Sequence, residues 1–588
     1  MNPRPIATFL RWGIVGSTVR RGLLAALALT TIKTGAEPGL GVGDEPVIVL
    51  PPMIIAESSD AHPWLYVAAG DTEYLSRCSE ATTRAFVTAQ LEAHRLLRVM
   101  VPDEFLATNA VPTASVVLPL AMKPAADDAV AQDLMRAEQR RERAHPRLQF
   151  LPNQRLDDRD TTAIFTYLDE RDFEGRRVIL AEDFVQTLLE RRTPMLPPWL
   201  IEGIMQLYRH ASLRSNPITL PPLTWLSEDE SIGLTLNPEA RRVLLPCDEL
   251  FAPDALLGAG NQDPKRVAVW QNETELLVRW ALDPANAPAR DAFWKLVARV
   301  SQEPMTEQIF VQYFGFGYSD LRDRLSDYLP TAVREPVRLL AGKLPLPRFV
   351  IAPASPGQIA RLRGEWERLE IPFVRSKHPQ FISRYIDQAR LTWHRAVERN
   401  PRDPQTLAAA GLCEIDAGDA MAARNWLEQA TAMNVVRPRA YYEVARLRWH
   451  ELTHVEPPPA SFSADQLQPV LGPLRRAIRQ TPPLPEAFTL MADVWLRCRE
   501  PALPSDLTAV IDAAHLFRRM PGVGYRAALL LLKCGRSSEA DAILVSNMKF
   551  LTDPAVRTQY QKLQSVLEAS PSNSMRTFSN PSQTDPQR

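Results

Sequence analysis

The chain has few of the residues that build disulfide frameworks or zinc ribbons. It contains five cysteines in 588 residues, scattered along the sequence and without a C-x-x-C pair. Glycine is also scarce, at 24 residues, whereas proline reaches 52. The sequence therefore predicts neither a disulfide-stapled module nor a cysteine-bound zinc site. The excess of proline favours rigid turns between helices.

An excess of charge of either sign is also missing. The formal net charge is −1, which argues against broad electrostatic binding to nucleic acid or to anionic membranes. After the N-terminus, no apolar run reaches the length of a membrane span without charges. There is no G-x-S-x-G, no phosphate-binding glycine loop and no zinc-finger spacing. We expect neither nucleic-acid binding nor a membrane span in the mature protein.

Residues 1–36 have the layout of an export signal. Basic residues ending at Arg20 and Arg21 precede a short apolar run at 22–29, and small residues follow at 34–36. The arginine pair also fits a twin-arginine signal, and the alternative is an uncleaved N-terminal anchor. We expect cleavage of this segment and a periplasmic or secreted protein of bacterial type.

The chain is too long for one hydrophobic core. Residues 37–62 read as a linker, and the patterns at 63–345 predict an α+β domain with a mainly helical second half. Its expected strands include 64–67, 73–75, 114–120, 148–151 and 162–168. Residues 346–373 read as a linker and a charged helix, 374–569 as an all-α solenoid, and 570–588 as a disordered tail.

An internal repeat indicates the solenoid. Apolar positions recur 34 residues apart, so that Ala389, Trp393, Ala396 and Pro401 are followed by Ala423, Leu427, Ala430 and Val435. We expect Gly411 and Gly418 to lie where the two helices of a unit approach closely, and the pattern returns at Gly535, Ala540 and Leu544. This spacing resembles tetratricopeptide repeats, whose stacked helix pairs form a groove for a protein or peptide partner.

A second resemblance lies at 178–210, which read as two helices with a Pro-marked turn between them. The run from Pro197 to Gly203 resembles the second helix of gluzincin-like zinc peptidases, in which a Trp-x-x-Glu-Gly glutamate is the third metal ligand. Glu202 holds that position here. The preceding HExxH helix of that family corresponds to 181–185 of this chain, where Glu182 matches the glutamate but Ala181 and Val185 replace both histidines.

That replacement removes the chemistry which the resemblance implies. A catalytic zinc ion needs about three protein ligands, and neither alanine nor valine carries a donor atom. The resemblance therefore implies a peptidase-like domain without catalytic residues, metal or cofactor. Ala181, Glu182, Val185 and Glu202 would then be vestigial positions. Two ordinary amphipathic helices, in a repeat protein without peptidase ancestry, explain the same residues.

One motif favours an enzyme instead. His450-Glu451-Leu-Thr-His454 matches HExxH, and on a helix the two histidines would share a face, with Glu451 as the base of a zinc metallopeptidase. However, it falls in the first helix of an expected repeat unit, 439–452, directly before the proline run at 457–459. No third ligand follows nearby. We therefore favour an exported, non-catalytic binding or scaffold protein, with the zinc metallopeptidase as the alternative.

Overall fold

A computed structural model of the chain describes residues 62–107, 112–119, 153–158, 160–171, 173, 182–211, 218–225, 244–252, 264–339, 346–457, 459–551 and 553–568. The expected export signal, the linker up to residue 61, the strand at 148–151, Ala181 and the C-terminal tail lie outside these residues. Within them, no helix combines the length and the apolar character that crossing a membrane requires.

The N-terminal part contains a mixed six-stranded sheet with the order β4-β5-β3-β2-β1-β8. Its strands are β1 (Leu65–Ala69), β2 (Thr72–Ser76), β3 (Thr113–Pro119), β4 (Asn153–Asp157), β5 (Thr162–Leu168) and β8 (Ala352–Pro353). β2, β3 and β5 run parallel, whereas β1, β4 and β8 pair antiparallel with their neighbours. The expected strands at 64–67, 73–75, 114–120 and 162–168 are confirmed, while β4 was not predicted.

Helices form the remainder of the N-terminal part. They are α1 (Glu80–Met100), α2 (Glu182–Glu190), α3 (Pro198–His210), α4 (Cys247–Phe251), α5 (Pro264–Leu282), α6 (Ala287–Val300), α7 (Glu307–Phe314) and α8 (Tyr318–Ala332). A two-stranded ribbon of β6 (Ile218–Leu220) and β7 (Val337–Leu339) accompanies them. Their apolar sides, with the C-terminal part of α1, form one continuous core. The α+β domain with a mainly helical second half is thus confirmed in outline.

The C-terminal part is a stack of helix pairs. Its helices are α9 (Pro356–Lys377), α10 (Ile382–Arg399), α11 (Pro404–Ala417), α12 (Ala420–Ala432), α13 (Pro438–Thr453), α14 (Ala464–Ala477), α15 (Pro485–Leu496), α16 (Pro504–Leu516), α17 (Pro521–Lys533), α18 (Ser537–Met548) and α19 (Pro554–Glu568). Each odd-numbered helix from α9 to α17 packs on the helix that follows it, and successive odd-numbered helices of this series also pack on each other. The predicted repeat positions Ala389, Trp393, Ala423 and Leu427 are all buried.

The first helix of this stack, α9, was expected to follow a linker, but the structure gives it a different role. β8 joins the sheet as an edge strand, and α9 then covers one sheet face through Leu362, Trp366 and Leu369. The other sheet face is covered by α1. Because α9 also packs on α10 and α11, it belongs to the sheet layer and to the solenoid at once. Residues 346–373 are therefore a structural junction between the two parts.

The two glycines of the first repeat have different roles. A Cβ at Gly411 would lie 2.6 Å from Leu427 Cγ, so Gly411 permits the close approach of α11 and α12 that the repeat predicts. Gly418 does not serve this purpose, because nothing lies within 4 Å of its Cβ position. Its φ of 95° places it in the left-handed region, where it ends α11. The expectation of a packing role for Gly418 was wrong.

We predict opposite effects of alanine at two helical glycines. Gly411→Ala should lower the free energy of unfolding by about 1–3 kcal/mol, because the added methyl group overpacks the α11–α12 contact. Gly472→Ala in α14 meets nothing within 4 Å and should raise stability by about 0.5–1 kcal/mol. Urea denaturation of both variants measures the difference. Equal stability of the two variants would contradict the packing role of Gly411.

Candidate functional site

The helix pair α2–α3 contains the positions of the expected peptidase-like motif. The helices pack against each other, and Val185 is fully buried in their shared core. α2 begins at Glu182, whose side chain lies outside the described atoms. Glu202 accepts a hydrogen bond from the Gln206 amide at 2.7 Å and lies 3.9 Å from the Arg209 guanidinium group. Glu202 is thus a partly exposed carboxylate with polar partners on its own helix.

The tryptophan and glycine of the same motif have packing roles. Trp199 is buried and contacts the rings of Phe251 and Phe293 edge-on. A Cβ at Gly203 would lie 2.6 Å from the carbonyl oxygen of Thr274, so only glycine allows α3 to approach α5 this closely. The Trp-x-x-Glu-Gly pattern therefore has a structural reason that involves no metal.

The HExxH match at 450–454 lies at the C-terminal end of α13. The rings of His450 and His454 stack with their centroids 3.7 Å apart, and His454 Nδ1 lies 2.9 Å from the His450 carbonyl oxygen. Glu451 forms an ion pair with Arg424 of α12. Among the described residues, no group of three or more His, Cys, Asp and Glu side chains is placed to hold a metal ion. The zinc alternative stays a prediction.

The strongest candidate site is the surface formed by the first helices of successive pairs, α9, α11, α13, α15 and α17, which we call the A-face. Ion pairs connect neighbouring helices along it. Arg368 of α9 contacts Asp416 of α11 at 2.9 Å, and Asp416 contacts Arg439 of α13 at 2.7 Å. Farther along, Asp493 of α15 contacts Arg526 of α17 at 2.8 Å. Ion pairs of the A-face therefore connect α9 to α11, α11 to α13 and α15 to α17.

The first half of the A-face holds a turn from the N-terminal sheet. This turn at 158–161 lies between β4 and β5, and its described residues are Asp158, Asp160 and Thr161. Asp158 accepts the backbone N–H groups of Asp160 and Thr161 at 2.9 and 3.1 Å. Asp158 is nearly buried and Asp160 is fully buried. Burying carboxylates away from water is costly unless cations and hydrogen-bond donors compensate.

Three solenoid arginines supply the compensation. Arg368 lies 2.7 Å from Asp158, and the guanidinium group of Arg439 contacts the same oxygen. The backbone N–H of Arg439 donates to Asp160 at 3.0 Å, and Arg437 lies 3.5 Å from that carboxylate. All three arginines are buried. The turn is thus held through both carboxylates and through a backbone donor.

A fourth arginine connects this cluster to the helix pair α2–α3. Arg191, immediately after α2, donates to the Thr162 hydroxyl at 2.6 Å and to the carbonyl oxygens of Thr161 and Asp158. The end of α2 therefore holds the backbone of the turn, in addition to the contacts from the solenoid. This contact gives the helix pair a role in presenting the turn to the A-face.

Charge proximity shifts the protonation equilibria within the cluster. Burial alone would raise the pKa of Glu365, but the Arg437 and Arg368 guanidinium groups lower it to about 2. The pKa of Asp158 also lies well below its usual range, because the three surrounding arginines outweigh the effect of burial. For Asp160, burial raises the pKa, with the Asp158 carboxylate adding to the shift. The cluster therefore retains ionised Glu365 and Asp158 even in mild acid.

The second half of the A-face is open. The side chains of Arg446, Asp493 and Arg526 are 42%, 38% and 38% exposed, respectively. Arg446 pairs with the buried Glu443 at 2.5 Å, which fixes its position beside the closed half. Leu490 and Leu529 are half-buried and lie three residues from Asp493 and Arg526, respectively, on the same helices. The open half thus combines exposed charges of both signs with partly covered apolar groups.

Comparison with known proteins gives matches to solved structures, and the three described here cover about a third of the chain each. No protein-family model and no curated protein matches the chain. YrrB, described as a TPR protein with an unusual peptide-binding site, is 14% identical over 33% of this chain and 88% of its own, with a TM-score of 0.25. PilF of Pseudomonas aeruginosa is 16% identical over 36% of this chain and 87% of its own, with a TM-score of 0.27.

A thermophilic TPR protein of Thermus thermophilus is 19% identical over 34% of this chain and 98% of its own, with a TM-score of 0.23. At such TM-scores none of these matches carries an inference about this chain. The assignment of stacked helix pairs rests on the packing of α9 to α18 described above. These structures give no support for the gluzincin-like resemblance, which stays a prediction.

The residues of the cluster were missed from the sequence. The acidic run at 157–160 and the Arg-Pro-Arg run at 437–439 read locally as a polar turn and a helix start. Arg437 and Arg439 lie just before and within the first turn of α13. A cation there interacts unfavourably with the positive end of the helix dipole, and this was the one signal that the sequence offered. Carboxylates from elsewhere in the chain offset that disadvantage.

We predict that two adjacent residues of α3 respond differently to substitution. Gly203→Ala should lower the free energy of unfolding by about 1–3 kcal/mol, because the methyl group collides with the backbone of α5. Glu202→Gln should change it by no more than about 0.5 kcal/mol, as expected for a surface position. Thermal and urea denaturation provide the measurement. A large loss with Glu202→Gln and none with Gly203→Ala would favour a functional carboxylate over packing.

The cluster also predicts an acid-sensitive stability. The pKa of Glu365 is lower in the folded state, at about 2, than in the unfolded state, where it is near 4.5. The stability that its ion pairs contribute is therefore complete above the unfolded pKa and disappears as the pH falls toward about 2. Urea denaturation should show that the free energy of unfolding declines across this pH range, and that the decline is flatter in Glu365→Gln. Glu398→Gln, on the exposed side of α10, serves as the control with an unchanged profile. Superimposable profiles of wild type and Glu365→Gln would contradict the assignment.

Proposed function

We propose that this protein is a non-catalytic binding scaffold whose A-face holds a segment of another polypeptide. The observation that carries the proposal is the division of this face into an occupied and an open half. The occupied half already binds polypeptide, since the turn at 158–161 contacts it through side chains and through the Arg439 backbone. The open half continues the same row of helices.

The open half has the properties of a polypeptide-binding surface. Its exposed arginines donate several hydrogen bonds in a fixed geometry, which suits carboxylates and backbone carbonyls of a bound segment. Half-buried leucines near the charges provide apolar contact without a large exposed patch. Stacked helix pairs contact only their neighbours, so this surface is extended in one direction, as an extended segment requires.

The N-terminal part supports a role in positioning rather than in hydrolysis. Its α2–α3 pair packs like two structural helices, and Arg191 at the end of α2 holds the turn that enters the A-face. We propose that this part descends from a gluzincin-like peptidase and now orients the solenoid. The support is the motif at 197–203, together with Val185 at a position that would require histidine for zinc.

Export to the periplasm or out of the cell belongs to the same proposal. It is supported by the basic, apolar and small residues of the first 36 positions. Determination of the mature N-terminus of the protein from its native cell tests it directly.

The binding proposal predicts a peptide affinity that depends on the open half. A random peptide library panned against the full chain should yield binders, and Arg446→Ala/Arg526→Ala should reduce their affinity about tenfold or more, equivalent to about 1.4 kcal/mol. The loss is expected because these side chains lie within the proposed contact surface. Calorimetric titration with the selected peptides gives the affinities.

Arg395→Ala is the matched control. Arg395 is an exposed arginine on α10, outside the A-face, and its removal should leave peptide affinity unchanged. A library that yields no binders, or binders that lose affinity equally with both variants, would overturn the proposal.

A further inference from the structure

We propose that the turn at 158–161 is a resident ligand of the A-face, and that its site accepts in its place an acidic segment of another polypeptide. The segment would present two aspartates separated by one residue. This inference rests on the proposed function, since it names the chemistry of a partner for the first half of the same surface. It is carried by the geometry of the turn and by the arrangement of the arginines.

The arginines remain organised by the solenoid itself. Arg368 contacts Glu365 at 2.8 Å and Asp416 at 2.9 Å, and both partners belong to the solenoid. Arg437 also pairs with Glu365, and Arg439 also pairs with Asp416. Removal of the turn would therefore leave each guanidinium group with a partner and a defined orientation. A preorganised site of this kind binds with a smaller loss of side-chain entropy.

The same arrangement leaves positive charge for a ligand. Three guanidinium groups of Arg368, Arg437 and Arg439 face the two solenoid carboxylates Glu365 and Asp416. Glu443, which lies 3.6 Å from Arg439, is shared with the exposed Arg446. Without the turn, the site therefore has one more cation than it has carboxylates, which favours an added anion. In the folded chain, Asp158 and Asp160 supply this anion.

The contacts also define the spacing of the acidic residues. The first carboxylate, that of Asp158, pairs with Arg368 and Arg439 and also accepts the backbone N–H of the second aspartate. Its side chain must therefore be short enough to bond to the backbone of its own turn. The second carboxylate accepts the Arg439 backbone N–H at 3.0 Å. Aspartate meets both requirements in this chain, and at the first position the longer glutamate does not form the same turn.

The first experiment replaces the resident ligand in trans. In full-length Asp158→Asn/Asp160→Asn, a capped peptide with the sequence of 156–163 should raise the melting temperature by several degrees. The wild type, in which the peptide competes with the resident turn, should need a much higher peptide concentration for the same shift. The same peptide with asparagine at both aspartate positions is the control ligand. Asp157→Asn is the control variant, because Asp157 is more exposed and pairs with Arg155 of its own strand. Equal responses to the two peptides would overturn the proposal.

A second measurement uses the wild type and does not depend on the folding of a variant. Excess peptide should increase hydrogen–deuterium exchange at 158–162 several-fold, because the resident turn leaves the A-face. Unchanged exchange at saturating peptide, or peptide binding that Arg446→Ala/Arg526→Ala abolishes, would overturn the inference. Library peptides that still bind the open half in that case would leave the proposed function standing.

Discussion

The buried pairing of Arg368 with carboxylates from two parts of the chain is the contact on which the architecture depends. Arg368 is inaccessible to solvent and contacts Asp158 of the sheet, Asp416 of α11 and Glu365 of its own helix. Desolvating such a group costs several kcal/mol, and only complete pairing offsets this cost. The cluster therefore tolerates few alternative arrangements. It joins the sheet and the helix pairs at one defined orientation.

This constraint explains why α9 is shared between the two parts. A helix with apolar residues toward a sheet and charged residues toward a solenoid needs partners on both sides, and α9 finds them at Trp366 and at Asp416. Gly364 lets Trp393 of α10 approach α9 closely, and the indole N–H donates to the Gly364 carbonyl at 3.0 Å. The A-face consequently begins at the sheet itself. Any partner that binds there is presented with a rigid N-terminal surface.

The parts of the fold that follow local patterns were predictable. Buried Ala389, Trp393 and Leu427 occur at the repeat spacing because adjacent helices demand apolar residues at fixed intervals. By contrast, the sequence predicts only a charged helix after a linker at α9. The partners of its buried charges, Asp158, Asp416 and Arg437, are distant in sequence. Gly203 belongs to a resembled motif, yet its contact with Thr274 gives it a packing role that periodicity alone does not reveal.

Local charge balance, rather than net charge, also decides what such a surface recognises. The chain as a whole is almost neutral, so long-range attraction of acidic partners is weak. At the cluster, however, guanidinium groups are held by neighbouring carboxylates in orientations that match a second pair of carboxylates. In the proposed site, recognition would depend on short-range geometry and on desolvation, which discriminate between spacings better than bulk charge does. An acidic segment with the wrong spacing would bury a carboxylate that reaches none of these arginines, and that penalty would make the site selective.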